Sequence, residues 1–288
     1  MGRRFKPLEP FRGWRKLAVH SWYGTGDPST YALVDIPMQG AIDYMERLRQ
    51  ETGVHITLTH LVVRGVALAL ARFPEMNGIV AHGRIYLRET TDIFMQVATG
   101  GGAELSGLKI TSADQKSVLE IAREVEERVA RIRARRDQQV ERTKSMLDRI
   151  PSRILGRVMR SIAYLVYDLD LDLTRFGIVK DEFGSAMVSN AGTFGVGVAL
   201  APLIPFSRTP MVVLMGALED KVVAVDGRIV IQPTITLGVT LDHRVMDGYH
   251  GGHMIQICRG YLENPEPHEL RLPRPVAAAA AAGAMPSL

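Results

Sequence analysis

Between Thr57 and Arg72 the chain reads as a helix with almost no polar side. Leu61, Val62, Val63, Val66, Ala67, Leu68, Ala69 and Leu70 leave little to face water, and Pro74 and Gly78 end the run. A helix apolar nearly all round is stable only when buried, so the rest of the chain must enclose it. Thr57 is its expected N-cap. A helix is also predicted just upstream, where Met38, Ala41, Ile42, Met45 and Leu48 recur at helical spacing and stop at Gly53. Strand-like runs are predicted at 31–36, 78–87 and 92–99, the last closing in the turn Gly100-Gly101-Gly102. Ser112 and Gln115 read as a capping box for a helix whose apolar stripe is Val118, Ile121, Ala122, Val125, Val129 and Ile132.

The last third is strand-dominated. Strands are predicted at 185–190, 211–217, 221–225, 228–232 and 234–241, with Asp226-Gly227 as a two-residue hairpin turn. A final helix is predicted from about 247 to 262. Between these halves lies a basic segment containing Arg131, Arg133, Arg135, Arg136, Arg142, Lys144, Arg149, Arg153, Arg157 and Arg160. After Pro151 it reads as a basic amphipathic helix. Packing of its apolar side on the core or on a neighbouring subunit is the leading expectation. Membrane-surface contact through 131–166 and nucleic-acid binding are the weaker ones.

Charge supports that ranking: the formal net charge is only +4, although the pI is near 9.3, so the global balance does not call for nucleic acid. A single cysteine, Cys258, excludes an internal disulfide and suits a reducing compartment. No apolar run approaches the roughly 18–20 residues that span a bilayer, and the basic N-terminus has no apolar signal core. A cytoplasmic protein is the expectation. Residues 1–30 read as an N-terminal arm, 31–272 as one domain with a helical insertion at about 131–178, and 273–288 as a mobile Ala-rich tail.

The chemistry concentrates in Asp242-His243-Arg244-Val245-Met246-Asp247-Gly248. A histidine at the end of a strand is held by rigid backbone, where a general base is best placed. An imidazole, with pKa about 6.5, suits deprotonation of a thiol of about 8.5 at neutral pH. Asp247 either locks that corner through a charge-assisted hydrogen bond or simply caps the following helix. His243, His250 and His253 also permit a metal reading, since the last two lie one helical turn apart and three histidines suit zinc. Cys258 falls inside the final helix, where it is expected to be buried and unreactive. Gly192, Gly195 and Gly197 lack the order of a dinucleotide loop and mark a bend instead.

These residues resemble the catalytic domain of the dihydrolipoyl acyltransferases of 2-oxo acid dehydrogenase complexes, which share a fold with chloramphenicol acetyltransferase. The family signature D-H-R-x-x-D-G is matched at 242–248. Met187-Val188-Ser189-Asn190-Ala191-Gly192-Thr193-Phe194-Gly195 is similar to its F-T-I-S-N-L-G-x-F-G block. Ala201-Pro202-Leu203-Ile204-Pro205 and the stretch Val213–Val223 resemble its proline loop, strand and hairpin. The resemblance implies an α/β two-layer sandwich, a mixed β-sheet with helices on one face. It implies His243 as general base, Ser189 as hydrogen-bond donor to the oxyanion and Asp247 as the motif aspartate. Asn190 and Gly248 belong to the matched motifs, and Arg15, with Arg12 close behind, is the best match to an arginine that pairs with the motif aspartate. It further implies acyl-CoA as substrate without a metal, and a homotrimer, open to higher assembly, with active sites at subunit interfaces.

Two departures qualify the resemblance. No lipoyl-lysine or peripheral-subunit-binding pattern is present, so a lipoyl substrate is expected to arrive on another protein, or the acceptor is different. Ala98–Leu108 lacks the family's P-A-G-L-I-T-P pattern, so the acceptor pocket is expected to differ. A non-catalytic scaffold with this core and a metal-dependent hydrolase are the alternative functions.

Overall fold

The computed structural model describes residues 6–9, 27–99, 104–134, 152–176, 178–225 and 227–269. The N-terminal arm with Arg12 and Arg15, the triglycine turn, Asp226, much of the basic segment and the C-terminal tail lie outside them. In chain order the first elements are β1 (Lys6–Pro7), β2 (Ser29–Pro37), α1 (Gln39–Thr52), α2 (Leu58–Arg72), β3 (Gly78–Ala81), β4 (Arg84–Leu87), β5 (Ile93–Thr99) and β6 (Glu104–Ile110). There follow α3 (Val118–Ala134), α4 (Ser152–Ala163), β7 (Ala186–Asn190), β8 (Met211–Met215), β9 (Glu219–Val225), β10 (Arg228–Asp242), α5 (Gly248–Glu263) and α6 (Glu266–Glu269).

A seven-stranded mixed sheet is the spine, in the order β2-β10-β8-β7-β5-β6, with β9 also paired to β10. The β5–β7 and β7–β8 pairs are parallel and the others antiparallel. Strand alternation divides its side chains between two faces. Ile93, Met95, Ala186, Val188, Val213, Leu237 and Val239 point to the layer of α1, α2, α3 and α5. Phe94, Met187 and Val212 point the other way, under Phe183, Ala201, Leu203 and Ile204. Helix α2 lies inside the helical layer, with every residue from His60 to Leu70 buried. That is the enclosure its sequence requires.

Three local readings change. The run 78–87 is two strands, turned at His82 (φ 48°) and Gly83 (φ 67°), and pairs with β1 in a separate small sheet. The capping box belongs to Ser117 and Glu120, not to Ser112 and Gln115. The backbone N–H and hydroxyl of Ser117 both donate to Glu120 Oε2 at 2.8 Å. Ser112, at φ 48°, instead opens a short turn of tighter helix. The predicted strands 228–232 and 234–241 are one strand, because β10 exchanges β9 for β2 and β8 as partners across Pro233 without bending out of the sheet.

The basic helix α4 buries its C-terminal end, while Ile154 near its start is 44% exposed, so only part of the expected apolar side is packed within the chain. Ala163, with Val166 and Tyr167 of the wider turn after it, covers Ile79, Ala81 and Tyr86 of the small sheet. Two charged pairs fasten this segment: Arg208 Nη2 to Asp168 at 2.9 Å, and Arg88 to Asp181 through two bonds of 3.0 Å. Among the described residues no helix is long and apolar enough to cross a membrane.

Candidate active site

His243 follows directly on the last residue of β10, and its backbone N–H donates to the Pro28 carbonyl at 2.8 Å. Its ring Nδ1 lies 2.9 Å from the Met246 carbonyl. A carbonyl can only accept, so Nδ1 carries a proton, and in the neutral form of the ring the lone pair lies on Nε2. That is the tautomer a general base needs. The corner is rigid because Asp242 grips Arg244 through two bonds, at 2.9 and 2.7 Å, and accepts the Arg244 backbone N–H.

Asp247 is the N-cap of α5 and accepts the backbone N–H of His250 at 3.0 Å. The same oxygen lies 2.6 Å from His250 Nδ1. Burial pushes this carboxyl upward, but the hydrogen bonds from His250 outweigh it and hold the group below the ordinary aspartate value. The capping role of Asp247 is therefore the one its contacts express, and Gly248 begins the helix behind it. His250 is committed to Asp247, and the ring of His253 packs at 4.4 Å on that of Tyr249. Among the described residues no group of three or more His, Cys, Asp or Glu is arranged to hold a metal. Cys258 is buried and its thiol is pushed up to about 12, which leaves no thiolate at neutral pH.

Ser189 sits at the other end of the sheet. It pairs with Leu214 of β8, which pairs with Gly238 of β10. His243 is five positions beyond Gly238, so about 16 Å of strand and about 10 Å across two strand spacings separate the two residues. No side chain spans that gap within one chain. Each end has its own recess. Ser189 lines a cavity of about 610 Å³ with Asn190, Thr59, His60 and Gln96. A second, of about 490 Å³, lies beside the histidine corner between Pro28, Pro202, Arg208, Asp242 and Arg244.

Asn190 supports its neighbour through α2. Its side-chain amide donates to Thr59 Oγ1 at 3.1 Å, and its carbonyls hold Thr193. After Asn190 the chain turns back over the sheet. At Gly192 a Cβ would strike Ala217 and the Gly216 carbonyl, while Gly195 takes φ 75°. The glycines thus make the bend. Thr59, His60, Gln96 and Pro28 were not singled out in the sequence. Only Pro28, directly before an extended run, carried a signal of its own.

A helical layer on one face of a mixed sheet gives the chain the α/β fold of chloramphenicol acetyltransferase-like domains. The solved chloramphenicol acetyltransferase superposes with a TM-score of 0.51 over 90% of this chain and 99% of its own, at 13% identity. The cubic core of a pyruvate dehydrogenase multienzyme complex superposes at 0.59, covering 88% of each chain at 18% identity. The family model for 2-oxoacid dehydrogenases acyltransferase (catalytic domain) matches residues 10–147 and 180–270. The chain belongs to that family. Among curated proteins it is 22% identical, over 243 residues, to the dihydrolipoyllysine-residue acetyltransferase component of the Acholeplasma laidlawii pyruvate dehydrogenase complex. That match takes in 83% of this chain but 37% of the relative, so the chain spans less than half the length of this relative. The family model leaves residues 148–179, which contain α4, unmatched.

Proposed function

We propose that this chain transfers an acyl group between coenzyme A and a second thiol, with a lipoyl group carried on another protein as the foremost acceptor. His243 is the general base. Its Nε2 takes the proton from the incoming thiol, and the thiolate attacks the thioester carbonyl. The Ser189 hydroxyl donates a hydrogen bond to the oxyanion that forms. Collapse of the intermediate expels the other thiolate, which recovers the proton from His243.

The observation that carries this reading is the tautomer of His243, fixed by the Met246 carbonyl, together with its distance from Ser189. A base and an oxyanion donor at opposite ends of one sheet make a site only across a boundary between copies. A homotrimer with three such sites fits this arrangement, as the family resemblance implies. Arg15, lying outside the described residues, keeps its proposed role as partner of the motif aspartate only through that resemblance.

Mixed trimers test the reading. His243→Ala and Ser189→Ala should each lower acyl-CoA:dihydrolipoamide exchange by about 10² or more. Co-refolding the two variants in equal amounts rebuilds one intact site in each mixed trimer, for about a quarter of wild-type activity. Failure of the mixture to exceed either variant sinks the shared site. Absence of wild-type turnover with every thioester tried points instead to a scaffold.

A further inference from the structure

The cavity beside Ser189 has a polar wall that the transfer step does not use. Its volume, about 610 Å³, far exceeds what an acetyl group would fill. Its lining includes Val125 and Val129 from the apolar stripe of α3 and Thr59 and His60 from the first turn of α2. There His60 occupies the position that a Glu or Gln takes in an ordinary capping box. Its Nδ1 accepts the Thr57 backbone N–H at 3.2 Å. An accepting Nδ1 places the ring's proton on Nε2.

His60 is 5% exposed and, among the described residues, its side chain forms no other hydrogen bond, yet its Nε2 is not sealed off from the surface. A donor left open on a ring that lines a cavity addresses whatever enters it. Burial, with His55 and Arg49 nearby, lowers the His60 pKa to about 4, so the donor is uncharged at neutral pH. Gln96 adds a side-chain amide from β5 that makes no hydrogen bond among the described residues, and the carboxylate of Glu126 lines the same space. A neutral donor beside a carboxylate favours an uncharged acceptor oxygen over a second anion.

We propose that this cavity receives the acyl chain of the thioester, and that His60 selects through its Nε2–H an acyl group bearing a keto or hydroxyl oxygen. The assignment rests on the acyl-transfer reading above, which puts the thioester at Ser189. It adds a substrate class and a residue that discriminates.

Calorimetric titration of the full chain with butyryl-, acetoacetyl- and succinyl-CoA, without acceptor thiol, tests it apart from turnover. Acetoacetyl-CoA should bind about tenfold or more tightly than butyryl-CoA, the gain of one hydrogen bond to a buried donor. His60→Leu should abolish that preference, while His60→Gln, which keeps both an acceptor for Thr57 and a donor, should retain most of it. Glu126→Gln should raise succinyl-CoA affinity, and it does so whether or not the His60 variants fold. Equal binding of butyryl- and acetoacetyl-CoA, tighter binding of succinyl-CoA than acetoacetyl-CoA by wild type, or a preference that survives in folded His60→Leu overturns the proposal. Selective binding without exchange sinks the acyltransferase reading and leaves this one standing; exchange of all three thioesters with equal affinity does the reverse.

Discussion

The Asn190 amide and the Thr59 hydroxyl, 3.1 Å apart, join the end of β7 to the first turn of α2. Ser189 is thereby held between a strand that fixes its backbone and a helix that fixes its neighbour. Through this bond the buried helix, which governs the fold, also sets the position of the proposed oxyanion donor.

Replacing Asn190 by Ala removes that bond while leaving Ser189 in place. About 1 kcal/mol of stability should be lost, the usual worth of a partly buried hydrogen bond. Exchange should fall by less than about tenfold, well short of the Ser189→Ala effect, since Asn190 acts only by position. Urea denaturation together with steady-state exchange would check both. A loss equal to that of Ser189→Ala would give Asn190 direct contact with substrate instead.

A second expectation concerns Arg64 on α2. Its side chain is 2% exposed, bonds to the carbonyls of Ala113 and Asp114, and faces Glu269, itself 7% exposed, at 3.4 Å. Glu269 also accepts from Tyr261 Oη and the Val118 backbone N–H. Removing one member strands the other's charge in the core. Arg64→Ala should therefore cost about 3–5 kcal/mol, measured by chemical denaturation. Arg64→Met with Glu269→Gln should cost clearly less, because no charge is left unpaired.

The pH dependence follows from His60. Its folded pKa is near 4, below the ordinary 6.5. Between those values the unfolded chain binds a proton that the folded chain does not, so stability rises with pH across that window. The contribution is complete above about 6.5 and is lost as pH falls toward 4, amounting to about 2–3 kcal/mol by pH 4.5. His60→Gln, which cannot titrate, should flatten that part of the stability profile. An unchanged slope between pH 6.5 and 4.5 in the variant would assign the effect elsewhere.

The sequence made most of this legible where periodicity and burial agree. Helix α2 begins behind Thr57, and α1 stops at Gly53, in the left-handed conformation at φ 70°. It was weaker where two nearby signals compete. Ser112-x-x-Gln115 and Ser117-x-x-Glu120 are both capping boxes on paper, but the Asp92 carboxylate takes the Ser112 backbone N–H at 3.0 Å and commits that residue to a turn. A contact twenty residues away decides the start of the helix. The same limit applies to the site. His243 and Ser189 stand out by motif, whereas His60 looks like one more residue of a buried helix until the cavity beside it is known.

The last expectation concerns the β9–β10 hairpin. Ile229 pairs with Ala224 and Ile231 with Val222, so these side chains share one face. On that face Ile229 is 83% exposed, and Ile231 and Val222 are each 70% exposed. Three large aliphatic side chains standing together in water are costly unless another surface covers them. If copies of this chain must meet to complete the site, the hairpin is apolar surface available for that meeting. Ile229→Lys with Ile231→Lys should then shift the protein to a smaller species in light scattering, without loss of circular dichroism. Exchange should fall along with assembly and return in part at high protein concentration, as mass action requires. An unchanged mass with full activity would remove the hairpin from the interface and place the contact on another face.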